Sequence, residues 1–541
     1  MAEGGPACKI SWLIGYLGVP AQPGQTCLGN IARVFLEASP PGGRNRRLKI
    51  VISTRSRRVL AGSAVSFGLA VALSGCMVGP NFQPPRVASP TAFVNDSPPQ
   101  SAPYVSGGAV DPQWWTSFND PLLTQLETRA VRQNLDLQIA TQRLLEAEAK
   151  AQIEGAQLYP TLSANASYSR NRISADSPTG QFGAAFPAVL QPYNLYQYGL
   201  QTMFDLDLWG KNKRAVEAAV AAARASEEAR RAALLNVEAS VASDYIQLRG
   251  TEAVLGITQK NLQYANQLVQ LTAERQQAGL TTSLDVANAR ATTAQISSQI
   301  PSLIAQRDAL IDQIGLLLGE TPDGLPQDLV EAAPVPLTPP VVPVGLPSDL
   351  LTRRPDMREA LDNLHSATAK IGVAKAAFFP DITLTGAVSF QALQGDMLDK
   401  WKSVTYGFGP TLTLPICEGG QLRGQLKLSQ DEQKEAAINY AKTALTAFTQ
   451  VNTALVNYEQ EHATQDALAT DVQQSQIALG LAEEQYKEGL VDYLTVLNAQ
   501  QTYLAAQQQQ AQSLERLGTD LVTLYQALGG GWEGEYPDIS Q

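Results

Sequence analysis

The 541-residue chain has a formal net charge of −11 at pH 7, four cysteines and only two histidines, His365 and His462. A metal site or histidine-dependent catalysis needs clustered ligands or a base with partners, so these two distant histidines are interpreted as surface or packing residues, and no metal or catalytic residue is expected. The sequence contains no glycine-rich phosphate loop and no nucleophile motif, so an enzyme is the weakest interpretation. The excess of acidic residues also disfavours nucleic acid as a ligand.

The first 75 residues differ from the rest of the chain in charge. They hold nine Lys and Arg against two Asp and Glu, whereas the remainder holds 31 against 49. Seven basic residues between 44 and 58 precede the apolar run 59–73, which is too short for a transmembrane helix but suits the core of a signal peptide. Residues 1–75 are therefore interpreted as a leader. Residues 1–50 precede the signal and are assigned no function; a spurious upstream extension is an open alternative.

The tetrapeptide Leu73-Ser74-Gly75-Cys76 follows the apolar run directly and resembles the bacterial lipobox. This resemblance implies that Cys76 is lipidated and becomes the first mature residue. A diacylglycerol and an N-acyl chain on one cysteine supply more than one acyl chain, which stable anchoring requires. The alternative is a buried cysteine in a short apolar helix. Residues 76–127 are accordingly predicted to form a lipidated N-terminal segment.

The sequence is internally duplicated. Residues 274–289 match residues 484–499 at a constant offset of 210, with seven identities that include Asn288 and Asn498. A second, weaker match has an offset of 220. Self-similarity of this kind indicates two structural repeats. The predicted organisation is a first repeat at 128–320, a proline-rich linker at 321–347, a second repeat at 348–528 and a tail at 529–541.

Each repeat contains two segments in which apolar and polar residues alternate. The predicted strands are 161–170, 197–208, 381–390 and 404–414. Strands of about ten residues with one apolar face are typical of a transmembrane barrel wall, although a water-soluble sandwich gives the same alternation. Four strands cannot close a barrel and an open edge cannot exist in lipid, so strands in a membrane would require the chain to oligomerise.

Each repeat also contains a very long helical segment without proline, at 210–278 and 419–488. Seventy helical residues span about 100 Å. Both segments are rich in Ala and Gln, which favours close packing through narrow apolar stripes. They end at Gly279 and Gly489, and return helices are predicted at 284–318 and 492–528. Glycine at such a boundary indicates a helix hairpin with the glycine in its turn.

Three motifs resemble the outer-membrane factor family typified by TolC and OprM, in its lipoprotein branch. They are Val78-Gly79-Pro80-Asn81-Phe82, then Trp114-Trp115-Thr116-Ser117-Phe118 with Asp120-Pro121-Leu122, and the most specific, Asp349-Leu350-Leu351-Thr352-Arg353-Arg354-Pro355-Asp356 with Phe378-Phe379-Pro380. The resemblance covers Cys76 to about Gly529. It implies an α+β membrane protein that forms a homotrimer, with a 12-stranded outer-membrane β-barrel, four strands from each chain, continuous with a 12-helix periplasmic α-barrel.

The resemblance also implies a function and partners. The expected function is a passive exit duct for small molecules and drugs in a tripartite efflux system of a Gram-negative bacterium, anchored in outer-membrane lipid. The expected partners are a periplasmic adaptor that docks on the hairpin tips and an inner-membrane RND-type transporter. A type I secretion duct or a metal-efflux duct of the same fold is the main alternative. A structural periplasmic coiled-coil lipoprotein is the alternative from another class.

In related channels, residues just after the tip glycines narrow the periplasmic opening. Matching residue by residue places Asp285 of the first repeat, and Leu494 and Asn498 of the second, at such a gate. Relatives commonly carry Asp where Asn498 stands, so the resemblance leaves open whether Asp285 or Asp492 carries the charge instead. Helix capping is an equally good explanation for these carboxylates, since Asp is favoured at helix starts.

Overall fold

The computed structural model describes residues 77–86, 104–106, 108, 111–182, 190–339, 341–345 and 347–533. The α-helices of this part of the chain are α1 (Pro121–Gln133), α2 (Leu135–Ala156), α3 (Pro178–Phe182), α4 (Lys211–Gln277), α5 (Ser283–Leu317), α6 (Gln327–Val330), α7 (Pro347–Arg353), α8 (Pro355–Ala376), α9 (Gln421–Lys487) and α10 (Tyr493–Leu528). The strands are β1 (Val105–Ser106), β2 (Thr161–Asn171), β3 (Tyr193–Asp205), β4 (Val342–Pro343), β5 (Asp381–Ala392) and β6 (Val404–Thr413).

The two repeats consist of matching elements. The long helices α4 and α9 have 67 residues each, and the helices that precede the sheet strands, α2 and α8, have 22 each. The return helices α5 and α10 have 35 and 36 residues. A helix of 67 residues spans about 100 Å at 1.5 Å per residue. Each repeat therefore consists of a helix, a pair of strands and a long helix hairpin, in that order.

Helix α4 lies at the centre of the helical packing. It contacts α1, α2, α5, α8 and α10, and its buried side is rich in small residues such as Ala218, Ala221 and Ala225. Small side chains let neighbouring helices approach closely. In the second repeat, α8 packs against both α4 and α9, whereas α2 of the first repeat packs mainly against α4. Within the described residues, one side of α2 is therefore left without the second helix that α8 has.

The four long strands form one antiparallel sheet in the order β2-β3-β5-β6. The register pairs Ala166 with Tyr198 and Tyr198 with Phe390, so apolar side chains of neighbouring strands share one face. Side chains on that face are largely exposed in the single chain, and Tyr406 is 75% exposed. Among the described residues, no helix is both long enough and apolar enough to cross a membrane.

Strand β3 begins and ends earlier than the predicted segment 197–208, since it spans Tyr193–Asp205. The end is set by Asp207, which has a left-handed backbone with φ of 44°. Its carboxylate accepts hydrogen bonds from the backbone N–H groups of Asn212, at 3.0 Å, and Lys213, at 2.9 Å. The chain thus turns into α4 before it reaches the last residues of the predicted strand.

The main apolar core surrounds the middle of α4 and brings the linker and the N-terminal segment together. Trp114 is fully buried and stacks on Tyr525 of α10, with 5.2 Å between the ring centroids. The buried guanidinium of Arg249 donates to the carbonyl oxygens of Glu331, at 2.6 Å, and Asp328, at 3.0 Å. These bonds fix the start of the proline-rich linker against the long helix.

Candidate functional site at the hairpin tips

Both hairpin tips are built on the same backbone turn. Gly279 and Gly489 have left-handed φ angles of 75° and 78°. In the first tip, the N–H of Leu280 donates to the carbonyl of Arg275 at 2.9 Å. In the second tip, the N–H of Leu490 donates to the carbonyl of Gln485 at the same distance of 2.9 Å. These bonds satisfy helix-end carbonyls in the way that glycine at a helix C-terminus allows.

The two predicted tip glycines therefore occupy equivalent places in the two repeats. The return helix α5 begins at Ser283, shortly after Gly279, and α10 begins at Tyr493, shortly after Gly489. The first residues of both return helices thus lie directly beside the turns, which is where the residue matching places the gate.

Asp285 caps the first return helix. Its carboxylate accepts hydrogen bonds from the hydroxyl of Thr281 at 2.6 Å and from the backbone N–H and hydroxyl of Thr282 at 3.0 and 2.8 Å. The N–H of Asp285 donates back to the Thr282 hydroxyl at 3.3 Å, which completes a capping box. The hydrogen bonds from Thr281 and Thr282 hold the pKa of Asp285 below its usual value.

The other predicted gate residues lie in the first two turns of α10. Asp492 is its N-cap and accepts hydrogen bonds from the N–H and hydroxyl of Thr495, at 3.0 and 2.8 Å. Leu494 and Asn498 are both exposed, and their spacing of four residues places them on one side of the helix. Within one chain, the fold therefore brings Leu494 and Asn498 together, while both carboxylates act as caps.

A set of contacts that the sequence analysis did not identify joins the two hairpins near their tips. The hydroxyl of Tyr264 in α4 is hydrogen-bonded to the carboxylate of Glu483 in α9. The guanidinium of Arg275 lies 4.5 Å from the ring centroid of Tyr486 and donates to the carbonyl of Lys487 at 3.2 Å. Burial, and then the hydrogen bond to Glu483, raise the pKa of Tyr264.

Two tyrosines flank the second tip glycine. Tyr486 and Tyr493 are buried and meet edge to face, with 5.8 Å between their ring centroids. They belong to a small apolar cluster that also includes Leu268 of α4 and Val496 of α10. Burial, followed by Tyr486 and Asp285, raises the pKa of Tyr493 to about 12. The two aromatic residues on either side of Gly489 were the available sequence signal for this cluster.

Neither histidine belongs to a cluster of metal ligands. His365 stacks on Phe82, and His462 stacks on Tyr104 with 3.9 Å between the ring centroids, so both are packing residues. The described part of the chain holds no group of three or more His, Cys, Asp or Glu residues that could hold a metal ion. The predicted lipidation site, Cys76, lies outside the described residues.

Comparison with known proteins identifies the family. The family model described as outer membrane efflux protein matches residues 126–320 and 346–530. The chain belongs to the outer membrane efflux protein family. It is 35% identical over 477 residues to a probable efflux pump outer membrane protein, TtgC, of Pseudomonas putida, a match that covers 85% of this chain and 93% of the relative. It is 29% identical over 469 residues to nodulation protein T of Rhizobium leguminosarum bv. trifolii, covering 85% and 95%.

Solved structures of outer membrane efflux proteins have the same fold. The outer-membrane channel OprN superposes with a TM-score of 0.78 at 29% identity, covering 85% of this chain and all of that one. The outer membrane channel CmeC of Campylobacter jejuni gives a TM-score of 0.77 at 25% identity, covering 84% and 95%. These neighbours are trimeric channels with a β-barrel and an α-barrel, so the predicted fold class is confirmed. The predicted function, an outer-membrane channel of an efflux system, is confirmed as well.

Proposed function

We propose that three copies of this chain form a passive, lipid-anchored exit duct for small organic molecules, which receives its cargo from a periplasmic adaptor and an inner-membrane transporter. The observation that carries this proposal is that, in the described part of the single chain, both the sheet and the helix layer end without a neighbouring element. Its sheet has two open edges, and its helix layer lacks a neighbour at each side.

The sheet supplies the first incomplete surface. Strands β2 and β6 lie at its two edges, and the exposed apolar face is continuous across all four strands. Backbone groups left unpaired in lipid each cost on the order of several kcal/mol, so an open strand edge is not stable there. Pairing β6 of one chain with β2 of the next removes both edges. Three such junctions join twelve strands into a closed barrel.

The helices supply the second. By the repeat, α2 corresponds to α8, which packs between α4 and α9, so the helix missing beside α2 is equivalent to α9. The unpartnered side of α2 exposes Ile139 and Ile153, and α9 exposes Ile438 and Leu445. We place α2 of one copy against α9 of the next. This contact closes the helices into a ring in register with the barrel.

The hairpin tips are the proposed docking points for the adaptor. Leu280 and Leu284 in the first tip, and the equivalent Leu490 and Leu494 in the second, are all exposed. Two similar apolar tips in each of three chains would give six similar docking points. We infer that the gate lies beside these tips, and the shared side of Leu494 and Asn498 on α10 supports this position.

The relatives indicate the class of cargo but no single compound. One relative is a toluene efflux pump outer membrane protein and another a pyoverdine export outer membrane protein. Relatives of similar identity thus serve different organic molecules, which supports selection by the partner transporter. We propose the same division for this chain. The lipobox resemblance at Cys76 favours an efflux duct over a type I secretion duct of the same fold.

Lipidation of Cys76 is proposed from its place in the sequence. The lipobox resemblance supplies the modification, and the next residue, Met77, lies beside Gly210 where the sheet meets α4. Acyl chains attached to the residue before Met77 would start close to the end of the strands that joins the helices. That is the level at which an outer-membrane anchor can enter the inner leaflet.

The proposal is tested by the oligomeric mass and single-channel conductance of the purified protein with its interface altered. Ile438 is 68% exposed in the single chain, so Ile438→Asp would cost little in an isolated protomer but would bury a charge in the assembly. We expect the Asp variant to lose the trimer and its conductance. The control Ile438→Leu keeps the apolar contact and retains both. A conducting Asp variant, or a monomeric wild type, would contradict the proposed duct.

A further inference from the structure

The residues that follow the predicted lipidation site pack against the N-terminal end of α4. Met77 packs on Gly210, where an added Cβ would lie 2.7 Å from the Met77 Cγ atom. The N–H of Val78 donates to the carbonyl of Trp209 at 3.0 Å. Trp209 in turn donates through its indole N–H to the carbonyl of Pro380 at 2.8 Å. The segment therefore meets the residues that connect strands β3 and β5 to the helices.

Gly79 brings the segment into direct contact with α8. Its φ is 108°, and an added Cβ would lie 2.5 Å from the Cα atom of Gly372. Any side chain at Gly79 would therefore be both strained and sterically blocked. The backbone of the segment therefore crosses α8 at Gly372, in direct contact with it.

Two side chains then hold the segment in place. The Asn81 side-chain oxygen accepts a hydrogen bond of 2.6 Å from Arg214, whose side chain is almost fully buried and also pairs with Glu217 at 2.6 Å. Phe82 stacks on His365 with 4.4 Å between the ring centroids and 9° between the rings. The His365 ring lies 3.0 Å from the same Glu217 carboxylate.

Glu217 therefore joins both halves of this site. Arg214 and Glu217 belong to α4 of the first repeat, whereas His365 belongs to α8 of the second. Partial burial would raise the pKa of Glu217, but hydrogen bonds from His365 and Arg214 hold it below its usual value. The carboxylate thus stays charged and bonded to both helices while the N-terminal segment covers the network.

We propose that residues 77–82 are a strap that binds in a groove of α4 and α8 and locks the two repeats together directly beneath the sheet. The ligand of this groove is the mature N-terminal peptide of the chain itself. The strap places Met77, the residue that follows the proposed lipidation site, at the junction of sheet and helices, and the consequence for membrane anchoring rests on the lipidation proposed for Cys76. Locking of α4 to α8 does not depend on the lipid.

Amide hydrogen exchange on the full-length trimer tests the strap. Phe82→Ala removes the stacking ring, and Gly79→Val blocks the backbone crossing by an independent route. Both variants are expected to release residues 77–82 and to raise exchange at 211–217 and 365–372 by about tenfold, because local opening becomes easier. Exchange at the distant hairpin tips should not change. Phe82→Tyr keeps the ring and should behave as the wild type.

Two outcomes would overturn the proposal. Exchange in the strap could remain unchanged in both variants, or the strap could be released while the junction stays fully protected. Loss of the folded trimer in Phe82→Ala with recovery in Phe82→Tyr would support the lock. Conductance is measured separately on the Phe82→Tyr trimer. An intact exchange pattern without conductance would reject the duct and leave the strap standing.

Discussion

The two hairpin tips have the same backbone conformation but differ in which side chains they bury. At equivalent positions, the first tip has exposed Ser283 where the second has buried Tyr493, and exposed Gln276 where the second has buried Tyr486. The glycine turns and their hydrogen bonds are the same. Duplication has therefore kept the turn, while side-chain changes have given the second tip two buried tyrosines that pack in a cluster shared by both hairpins.

This difference indicates where each hairpin draws its stability. The second tip is held by Tyr486 and Tyr493 together with Leu268 and Arg275 of the first repeat. The first tip carries the capping box of Asp285 and no buried tyrosine, and its hairpin reaches the shared cluster through Leu268 and Ala289. Loss of a tyrosine should therefore free the second hairpin, whereas the first should respond mainly to its cap.

The largest effect is expected for Tyr493→Ala. Tyr493 is 2% exposed, and truncating a buried aromatic residue costs about 3–5 kcal/mol. We expect amide exchange in 486–497 to accelerate strongly, while 276–287 changes little. Ser283→Ala, at the equivalent exposed position, is the matched control and should stay within about 0.5 kcal/mol of wild type. Equal effects of the two substitutions would show that the hairpins are anchored alike.

A smaller effect is expected for Tyr264→Phe, which removes the hydroxyl that bonds Glu483 and so loosens the contact between α4 and α9. The loss of one such bond costs about 1 kcal/mol. Basal conductance should rise because the hairpins separate more easily. The control Glu483→Gln keeps an acceptor oxygen for the tyrosine and should retain most of the wild-type behaviour. Unchanged conductance in Tyr264→Phe would show that this contact does not stabilise the closed state.

The first hairpin should respond instead to its cap. Asp285→Ala is expected to destabilise the start of α5 by about 1 kcal/mol at pH 7. Because the pKa of Asp285 is lowered in the folded protein, its contribution is present above the unfolded value of about 3.9 and is lost as the pH falls through the folded value. Amide exchange in 282–288 should therefore differ from wild type at pH 7 and converge with it in acid. A difference that is independent of pH would contradict the capping role.

The sequence predicted the helices and strands because their determining signals are local, whereas the trimeric barrel was predicted from the family resemblance. Glycines at 279 and 489, long helices without proline and alternating strands each act through neighbouring residues, and the observed elements follow them closely. The end of β3 was missed because it depends on the capping bonds of Asp207. The contact between Tyr264 and Glu483 joins residues 219 positions apart, so no local pattern reveals it.

The smallest effect is expected at the asparagine shared by both repeats, Asn288 and Asn498. Asn498→Asp should add one carboxylate per chain beside Leu494 and shift the reversal potential towards cation selectivity by a few millivolts, on the scale of a screened surface charge. Asn288→Asp places the same charge on the first hairpin. A larger shift for Asn498→Asp would place the constriction on the second hairpin. Equal shifts would mean that both hairpins line the opening to the same extent. The absence of any shift would show that residue 498 does not line the conducting path.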